Sequence, residues 1–241
     1  MALTQAGEAL LEEAEKTIAT ARQIKARAQS LREGIRGEFR IGTIAEPSIL
    51  RLGETVCHLT SSHPDLRLSL LQGISGDVVD WILADEIDAG YVIGPPDDKR
   101  VLTVKVAPVT LRVVAPANWA ERIAPLDWAG IAALPWISTP AKCSFSLLAG
   151  RMFSRHDVRP QTVVEADQEH TLLGLVGSGM GLTLLREDVA LAAQAMGEVV
   201  IWKPGVEVSH VYFIFRRENK ASATLQAVLR TIEAVWKTEA A

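Results

Sequence analysis

Apolar positions recur at every seventh residue over the first part of the chain. On a helix this repeat forms one row of large side chains and one row of small side chains. Because residues 3 to 32 contain no proline, one helix of about 30 residues would reach roughly 45 Å. We predict a dimerisation helix over residues 1–34; the alternative is an amphipathic helix folded onto its own domain. The predicted interface positions are Leu3, Leu10, Ala14, Ala21, Ile24, Ala28 and Leu31.

Strand and helix patterns then alternate. A short apolar strand that starts at Glu38 precedes a helix predicted over about residues 48–61. Alternating leucines predict a second strand, and Ser75 is expected to cap the helix that follows it. A third apolar strand over residues 89–94 completes a strand–helix–strand–helix–strand unit. Such a unit is typical of a parallel sheet with right-handed crossovers.

Two long β-rich runs lie later in the chain, at residues 101–115 and 208–215. Between them lies a second set of strands and helices, which includes helices predicted at residues 144–155 and 187–195 and ends in a strand predicted at residues 199–203. Each long run is long enough to leave one sheet and enter another. We therefore predict an α/β fold of two Rossmann-like lobes joined by two crossover strands, with a ligand cleft between them. The predicted lobes are residues 38–107 plus 208–241, and residues 108–207.

The turn at residues 45–48 is the first candidate for a binding function. It follows the first predicted strand and leads into the next predicted helix. A strand that ends where a helix begins leaves backbone N–H groups pointing outward. Such a turn can hold the polar end of a small molecule, so we place a ligand-sensing domain around it.

Composition narrows the class of protein. The chain of 241 residues is 48% hydrophobic and 22% charged, which is typical of a soluble globular protein. No apolar run is long enough to cross a bilayer, and the N-terminus lacks a signal-peptide core, so we expect a cytoplasmic location. The net charge of −4 argues against a broad basic face for nucleic acid. Cys57 and Cys143 match no metal-binding or redox spacing and are interpreted as reduced thiols.

Patterns for cofactor and catalytic chemistry are weak. The sequence GSGMG at residues 177–181 lacks the full spacing of a dinucleotide-binding loop and follows a predicted helix instead of a strand. The five histidines show no spacing typical of a metal site. No nucleophile is paired with a base by sequence pattern. We therefore expect no cofactor, no metal and no enzymatic activity.

Four segments, in this order, resemble segments of the LysR-type transcriptional regulators. LTQAGEALLEEAEKTI resembles the linker helix of that family, and EFRIGTIAEPSIL resembles the first strand of its effector domain. HPDLRLSLLQGISGDVVDWILADEIDAGYVI resembles the next strand–helix–strand unit. GLVGSGMGLTLLRED resembles a glycine-containing segment of the family, in which Arg186 replaces the usual proline. The resemblance covers nearly the whole chain and implies a periplasmic-binding-protein-like fold of type 2 after a long α-helix.

The resemblance also implies partners. A LysR-type regulator binds a small-molecule effector and forms a homodimer or a tetramer. It contacts DNA through a winged helix-turn-helix domain that precedes the linker helix. Because this chain starts inside the linker, we expect DNA binding only through that missing N-terminal domain. No membrane partner is expected.

The effector of this family lies between the lobes, at the carboxyl ends of strands. Hydroxyl groups and free N–H groups at helix starts can bind a carboxylate without a buried cation. The alternative is that Ser48, Ser75 and Gln168 only cap their own helices. If Glu46 faces the cleft, it favours an amine or a hydroxyl group over a carboxylate. The positions that the resemblance assigns to this site are Ala45, Glu46, Pro47, Ser48, Ser75, Ile93, Gly94, Ser138, Thr139, Asp167 and Gln168.

We interpret the chain as the ligand-sensing and oligomerisation part of a bacterial transcriptional regulator. A metabolite in the cleft would favour one arrangement of the lobes, and the shift would reach the linker helix and the dimer contacts. The alternatives are a two-lobed solute-binding protein, a two-lobed enzyme and a pure dimerisation module. The solute-binding protein would have no use for a heptad helix, and the enzyme would need converging titratable groups.

Overall fold

The computed structural model describes residues 10, 13–14, 16–18, 20–21, 24, 34–44 and 49–237. Within them the strands are β1 (Gly37–Thr43), β2 (Leu66–Gln72), β3 (Ala89–Ile93), β4 (Val101–Pro116), β5 (Pro135–Ser138), β6 (Gln161–Glu165), β7 (Thr183–Arg186) and β8 (Val199–Arg216). The α-helices with assigned bounds are α1 (Leu52–Ser62), α2 (Ser75–Leu83), α3 (Ala120–Ile123), α4 (Trp128–Ala132), α5 (Ser144–Ser154), α6 (Glu169–Gly177), α7 (Glu187–Ala195) and α8 (Ala223–Lys237). Within the described ranges, none of the helices has both the length and the apolar character that a bilayer crossing requires.

The described strands form a large mixed sheet and a small parallel sheet. The order in the large sheet is β2-β1-β3-β8-β4-β7. β1 is parallel to β2 and β3, whereas β8 is antiparallel to β3 and β4. β5 and β6 are parallel, and a bridge between Trp136 and Leu182 joins them to the segment that leads into β7. The mixed α/β architecture that the sequence predicts is confirmed.

β4 and β8 pair with each other and connect the two ends of the large sheet. The sequence predicted separate strands at residues 199–203 and 208–215, but β8 continues through Pro204 and Gly205. The register of β4 shifts opposite these residues, which is a β-bulge. A Cβ at Gly205 would lie 2.5 Å from the Cβ of Val113, so the bulge requires glycine. The two separate strands were therefore a wrong prediction.

The predicted lobe boundaries fall in the middle of these two long strands. Residues 107/108 and 207/208 lie within the stretch where β4 pairs with β8. On one side of this stretch β8 also pairs with β3, and on the other side β4 pairs with β7. Two antiparallel strands thus connect the two halves of the structure, and the exact division into lobes stays a prediction.

Helix α2 packs against the sheet over two glycines. Gly42 of β1 and Gly90 of β3 are neighbours in register. A Cβ at Gly42 would lie 2.9 Å from Cγ1 of Val78, and one at Gly90 would lie 2.5 Å from the same atom. Val78 and Ile82 are fully buried in this contact layer. Because larger residues in the strands would push the helix away, the two glycines hold the start of α2 near the carboxyl ends of β1 and β3.

Two helix starts differ from the prediction. α1 begins at Leu52 and not at residue 48, because a turn precedes it in which Arg51 has a left-handed φ of 44°. The predicted binding turn at residues 45–48 lies outside the described residues. α2 begins at Ser75, and Ile74 occupies the capping position before it. The prediction that Ser75 caps this helix was therefore wrong.

The leading segment is helical at each residue described between 10 and 24. Of the predicted interface positions, Leu10, Ala14, Ala21 and Ile24 are described, and all of them are exposed. Leu10 is 71% exposed and Ile24 is 67% exposed, so neither side chain packs onto the domain. Their exposure disfavours a helix folded back at these positions, and pairing through this face stays a prediction. Leu3, Ala28 and Leu31 lie outside the described residues.

Candidate functional site

A pocket lies where the N-terminal ends of α2, α5 and α6 meet the ends of β1 and β3. It encloses about 570 Å³ outside protein atoms, part of which is open to solvent. Its apolar walls are formed by Ile44, Ile49, Ile74, Ile93, Phe145 and Leu172. Its polar lining consists of Ser75, Thr139, Cys143, Ser144, Asp167, Gln168, Glu169 and Arg186.

Two serine hydroxyl groups join α2 and α5 at the wall of the pocket. The hydroxyl oxygens of Ser75 and Ser144 lie 2.6 Å apart. Ser144 Oγ also lies 2.6 Å from the carbonyl oxygen of Ile93, and the Ile93 N–H donates to Ser75 Oγ at 3.3 Å. A carbonyl oxygen only accepts and Ser144 has one hydroxyl proton, so Ser144 donates to Ile93 and Ser75 donates to Ser144. The resulting closed ring of hydrogen bonds holds α2, β3 and α5 together.

A second set of contacts ties α2 to the loop before α5. The Gly76 N–H donates to the carbonyl oxygen of Lys142 at 3.1 Å. A Cβ at Gly76 would lie 2.8 Å from that oxygen, so only glycine allows this close approach. The Lys142 ammonium pairs with Asp80, and this hydrogen bond raises the pKa of Lys142 above its ordinary value. These contacts determine how closely α2 approaches α5 beside the pocket.

The N-terminus of α5 lines the pocket without a capping side chain. Cys143 precedes the helix but makes no capping hydrogen bond, and the first turn contains no acidic residue. Thr139 is 4% exposed, and its hydroxyl oxygen has no hydrogen-bond partner within the described part of the chain. The first N–H groups of a helix attract negative charge, and a buried hydroxyl without a partner is costly. Both features favour an acceptor group of a bound molecule at this end of the pocket.

A buried ion cluster forms another wall of the pocket. Arg186 is 4% exposed, and its Nη1 donates to Oε2 of Glu169 at 2.8 Å. Its Nε and Nη2 donate to the two carboxylate oxygens of Asp188 at 3.0 Å and 2.9 Å. The backbone N–H of Arg186 donates to the second oxygen of Glu169 at 2.9 Å. The cluster holds the first turn of α6 against the end of β7 and compensates the positive charge of Arg186.

One carboxylate of this cluster has a shifted pKa. Hydrogen bonding from Arg186 lowers the pKa of Asp188 below its ordinary value, and burial opposes the shift. The adjacent Glu187 is paired with Arg112, whose Nε donates to it at 2.7 Å. Both acidic residues in the first turn of α7, Glu187 and Asp188, therefore form ion pairs with arginines.

The pocket brings part of the predicted set of site residues together. Gly94 and Ser138 are not among its lining residues, and Ser138 lines a smaller adjoining hollow. Effector binding by any of the predicted residues stays a prediction. The predicted residues that line the pocket are Ser75, Ile93, Thr139, Asp167 and Gln168. Those that lie outside the described residues are Ala45, Glu46, Pro47 and Ser48.

The sequence left open that Ser48, Ser75 and Gln168 only cap their own helices, and the structure contradicts this alternative for Ser75 and Gln168. The Ser75 hydroxyl bonds to Ile93 and Ser144 instead of to its own helix. Gln168 occupies the capping position of α6, but its side chain makes no capping hydrogen bond. Both side chains therefore line the pocket without serving their own helix starts.

Sequence reasoning missed four polar residues of the pocket, which are Cys143, Ser144, Glu169 and Arg186. Ser144 stands at the start of a correctly predicted helix, so its hydroxyl was a usable signal. Glu169 gave no signal, because its partner Arg186 lies 17 residues further along the chain. The signal for Arg186 was its departure from the proline that is usual in the family that the segment resembles.

Comparisons with known proteins identify relatives along the whole length of this fold. The family model described as LysR substrate binding domain matches residues 32–237. The HTH-type transcriptional regulator IlvR of Caulobacter vibrioides is 27% identical over 214 residues, which cover 85% of this chain and 70% of that protein. The HTH-type transcriptional regulator YofA of Bacillus subtilis is 21% identical over 234 residues, which cover 96% of this chain and 79% of that protein.

Solved structures of similar fold come from regulators too. The regulatory domain of CcmR from Synechocystis PCC6803, in complex with 2-PG, has a TM-score of 0.70 at 17% identity and covers 84% of this chain and 98% of that chain. The effector binding domain of QuiR, in complex with shikimate, has a TM-score of 0.71 at 16% identity with the same coverage. These likenesses confirm the predicted periplasmic-binding-protein-like fold of type 2. Because the family model spans most of its length, this chain belongs to the LysR substrate-binding domain family.

Proposed function

We propose that this chain senses a small metabolite for a LysR-type transcriptional regulator, and that the metabolite binds between α2, α5 and α6. The observation that carries the proposal is the buried Thr139 hydroxyl, which lines the pocket without a partner in the described part of the chain. An unpaired buried hydroxyl costs stability, and a ligand that supplies its partner removes that cost.

The comparisons support regulation over the alternatives that the sequence left open. The similar proteins IlvR and YofA are named as transcriptional regulators, which favours a regulator over a solute-binding protein or an enzyme. The CcmR and QuiR domains were solved with 2-PG and shikimate, so this fold holds small molecules in those two proteins. The pocket of the present chain, with apolar walls and a few polar groups, suits a ligand of the same general class.

The mechanism follows from what the pocket connects. A bound molecule touches α2 on one side and α5 and α6 on the other, and it favours the arrangement in which both sides reach it. β4 and β8 connect these sides, so the shift is a small rearrangement about two paired strands. The leading helix couples two copies into a homodimer, which can assemble further into a tetramer. We expect DNA contact through a winged helix-turn-helix domain and not through the pocket or the sheets described above.

Thr139→Val separates a binding role from a structural role. The change keeps the shape of the side chain and removes the hydroxyl, so a metabolite that uses it should bind about tenfold more weakly. The free energy of unfolding without ligand should stay the same or rise, because an unpaired buried polar group is lost. A thermal-shift screen of metabolites, followed by calorimetric titration of the hits, measures both effects.

The matched control for this experiment is Thr162→Val on β6, where the side chain is exposed and away from the pocket. It should leave the affinity unchanged. A Thr139→Val protein that binds every hit with the affinity of the unchanged protein would contradict the proposal. So would a loss of stability without any change in ligand binding.

The leading helix is tested by charge substitution on its exposed apolar row. Leu10→Asp combined with Ile24→Asp should convert a dimer into monomers, because both side chains are more than half exposed within one chain and lie on the predicted interface. Sedimentation velocity over a range of protein concentrations measures the change. Ala19→Asp, which the helical period places on the side opposite Leu10 and Ile24, is the control and should leave the dimer intact. A doubly substituted chain that sediments as the unchanged chain does would exclude pairing through this row.

A further inference from the structure

The three helix starts at the pocket differ in how their positive ends are compensated. In α2 the first turn contains Asp77, whose carboxylate accepts from the Ile74 N–H at 3.2 Å. In α6 the first turn contains the buried Glu169, which accepts from Arg186. α5 has neither an acidic residue in its first turn nor a capping side chain. Since the partial positive charge of a helix start attracts anions, α5 is the position where a ligand anion gains most.

An independent feature marks the same end of the pocket. Thr139 precedes α5, is 4% exposed and keeps its hydroxyl unpaired within the described ranges. The Thr139 hydroxyl group and the first N–H groups of α5 can donate hydrogen bonds, so the ligand must supply an acceptor at this position. A carboxylate has acceptor lone pairs for both, and hydrogen bonds to a charged acceptor are stronger than those to a neutral one.

The neighbouring end of β6 adds negative charge close to Thr139, because the Ala166 N–H donates to the carbonyl oxygen of Ser138 at 3.0 Å and Asp167 follows directly. Among the residues that the structure describes, the charged members of the lining are two carboxylates, Asp167 and Glu169, and one guanidinium, Arg186. The guanidinium is engaged by Glu169 and Asp188, so its charge is already compensated inside the protein. Asp167 is exposed at the start of α6 and lines the pocket. A second anionic group of a ligand would therefore meet carboxylates here, whereas a protonated amine would be attracted.

The remaining walls are apolar. Ile44, Ile49, Ile74 and Leu172 are aliphatic, and Phe145 adds an aromatic ring. Burial of an apolar side chain against them contributes binding free energy roughly in proportion to the area removed from water. A ligand without an apolar part would leave these walls unused.

We propose that the effector is a zwitterion of the amino-acid class, with its carboxylate at the start of α5, its ammonium group at Asp167 and an apolar side chain against the isoleucine walls. This assignment rests on the proposed function, because it names the class of molecule that the same pocket takes. Dicarboxylates and phosphate esters are disfavoured, since each would bring a second negative charge towards Asp167.

Two series of probes test the assignment by removing one charge at a time. The first is leucine with isocaproate, which lacks the amine, and isoamylamine, which lacks the carboxylate. The second is phenylalanine with hydrocinnamate and phenethylamine. In one or both series the zwitterion should bind more tightly than either relative, by a factor of about ten or more. The reason is that each hydrogen bond to a charged group contributes a factor of about ten or more to the affinity. Isothermal titration calorimetry of the full chain measures all six affinities.

Asp167→Asn then tests which residue recognises the amine. The zwitterion should lose about fivefold to tenfold in affinity, while the carboxylate without the amine should bind equally well or more tightly, because a nearby negative charge is removed. Asp97→Asn, an exposed carboxylate that does not line the pocket, is the control and should change neither affinity. Equal binding of an amino acid and its deaminated relative, or no binding of either amino acid, would overturn the zwitterion assignment. If a different metabolite from the wider screen binds and is weakened by Thr139→Val, the proposed function stands and only the ligand class is wrong.

Discussion

Arg186→Met should lower the free energy of unfolding by about 3–5 kcal/mol. The substitution removes the guanidinium that forms a buried ion pair with the carboxylate of Glu169, which is 7% exposed. It also removes the two hydrogen bonds to Asp188. Urea unfolding followed by tryptophan fluorescence measures the loss. Because the cluster positions the first turn of α6, the metabolite affinity of the folded fraction should fall as well.

The chain contains a matched control for this prediction. Arg100 holds Asp98 through the same two-pronged contact, with Nε and Nη2 at 3.1 Å and 2.7 Å from the carboxylate oxygens, but Arg100 is 69% exposed. Arg100→Met should leave stability nearly unchanged, because water and salt screen an exposed pair. Combining Arg186→Met with Glu169→Gln should recover part of the loss, because the second substitution removes the buried negative charge that has lost its guanidinium partner. Equal losses in the two single variants would show that burial of the Arg186 cluster does not matter.

Gly181→Ala should destabilise the protein by about 3 kcal/mol. A Cβ at this position would lie 2.9 Å from the carbonyl carbon of Pro135 and closer still to its oxygen. The obstacle is backbone, and two hydrogen bonds keep it in place. The Leu182 N–H donates to Pro135 at 2.9 Å, and the Ile137 N–H donates to Leu182 at 2.7 Å. β5 cannot move away without breaking the bridge that joins the two sheets.

Gly177→Ala is the control for the glycine prediction. It lies four positions earlier, at the end of α6, and a Cβ there would meet nothing within 4 Å. Alanine is also the better helix former, so stability should be unchanged or slightly higher. Thermal and urea unfolding of both variants give the comparison. If both substitutions were equally tolerated, close approach of β5 would not be the reason for glycine at position 181.

Several elements were predictable because their signals are local. α7 was predicted over residues 187–195 and is found at Glu187–Ala195, where an acidic first turn opens a run of helix formers. β1 and β3 were predicted from short apolar runs and are buried between helices and neighbouring strands. These elements depend on side chains that lie within a few residues of one another, so the pattern along the chain contains the necessary information.

Two of the wrong predictions share one physical cause, which is pairing between distant segments. Pro204 and Gly205 look like a strand break along the chain, but pairing with β4 on both sides carries β8 through them. Ser75 looks like a helix cap, but its hydroxyl bonds to Ser144, which lies 69 positions away. Local propensity favoured a break and a cap, and tertiary hydrogen bonds outweighed both.

The sequence by itself determined the α/β class, the order of most elements and the strand ends near which the pocket lies, because periodicity and turn residues act over short distances. Only the tertiary structure decided which groups meet there. It paired Arg186 with Glu169, closed the hydroxyl ring of Ser75 and Ser144 and left Thr139 unpaired beside α5. The reason is that the charges and hydrogen bonds of a pocket depend on which elements approach each other. The pattern along a single segment does not contain the distance between that segment and another one.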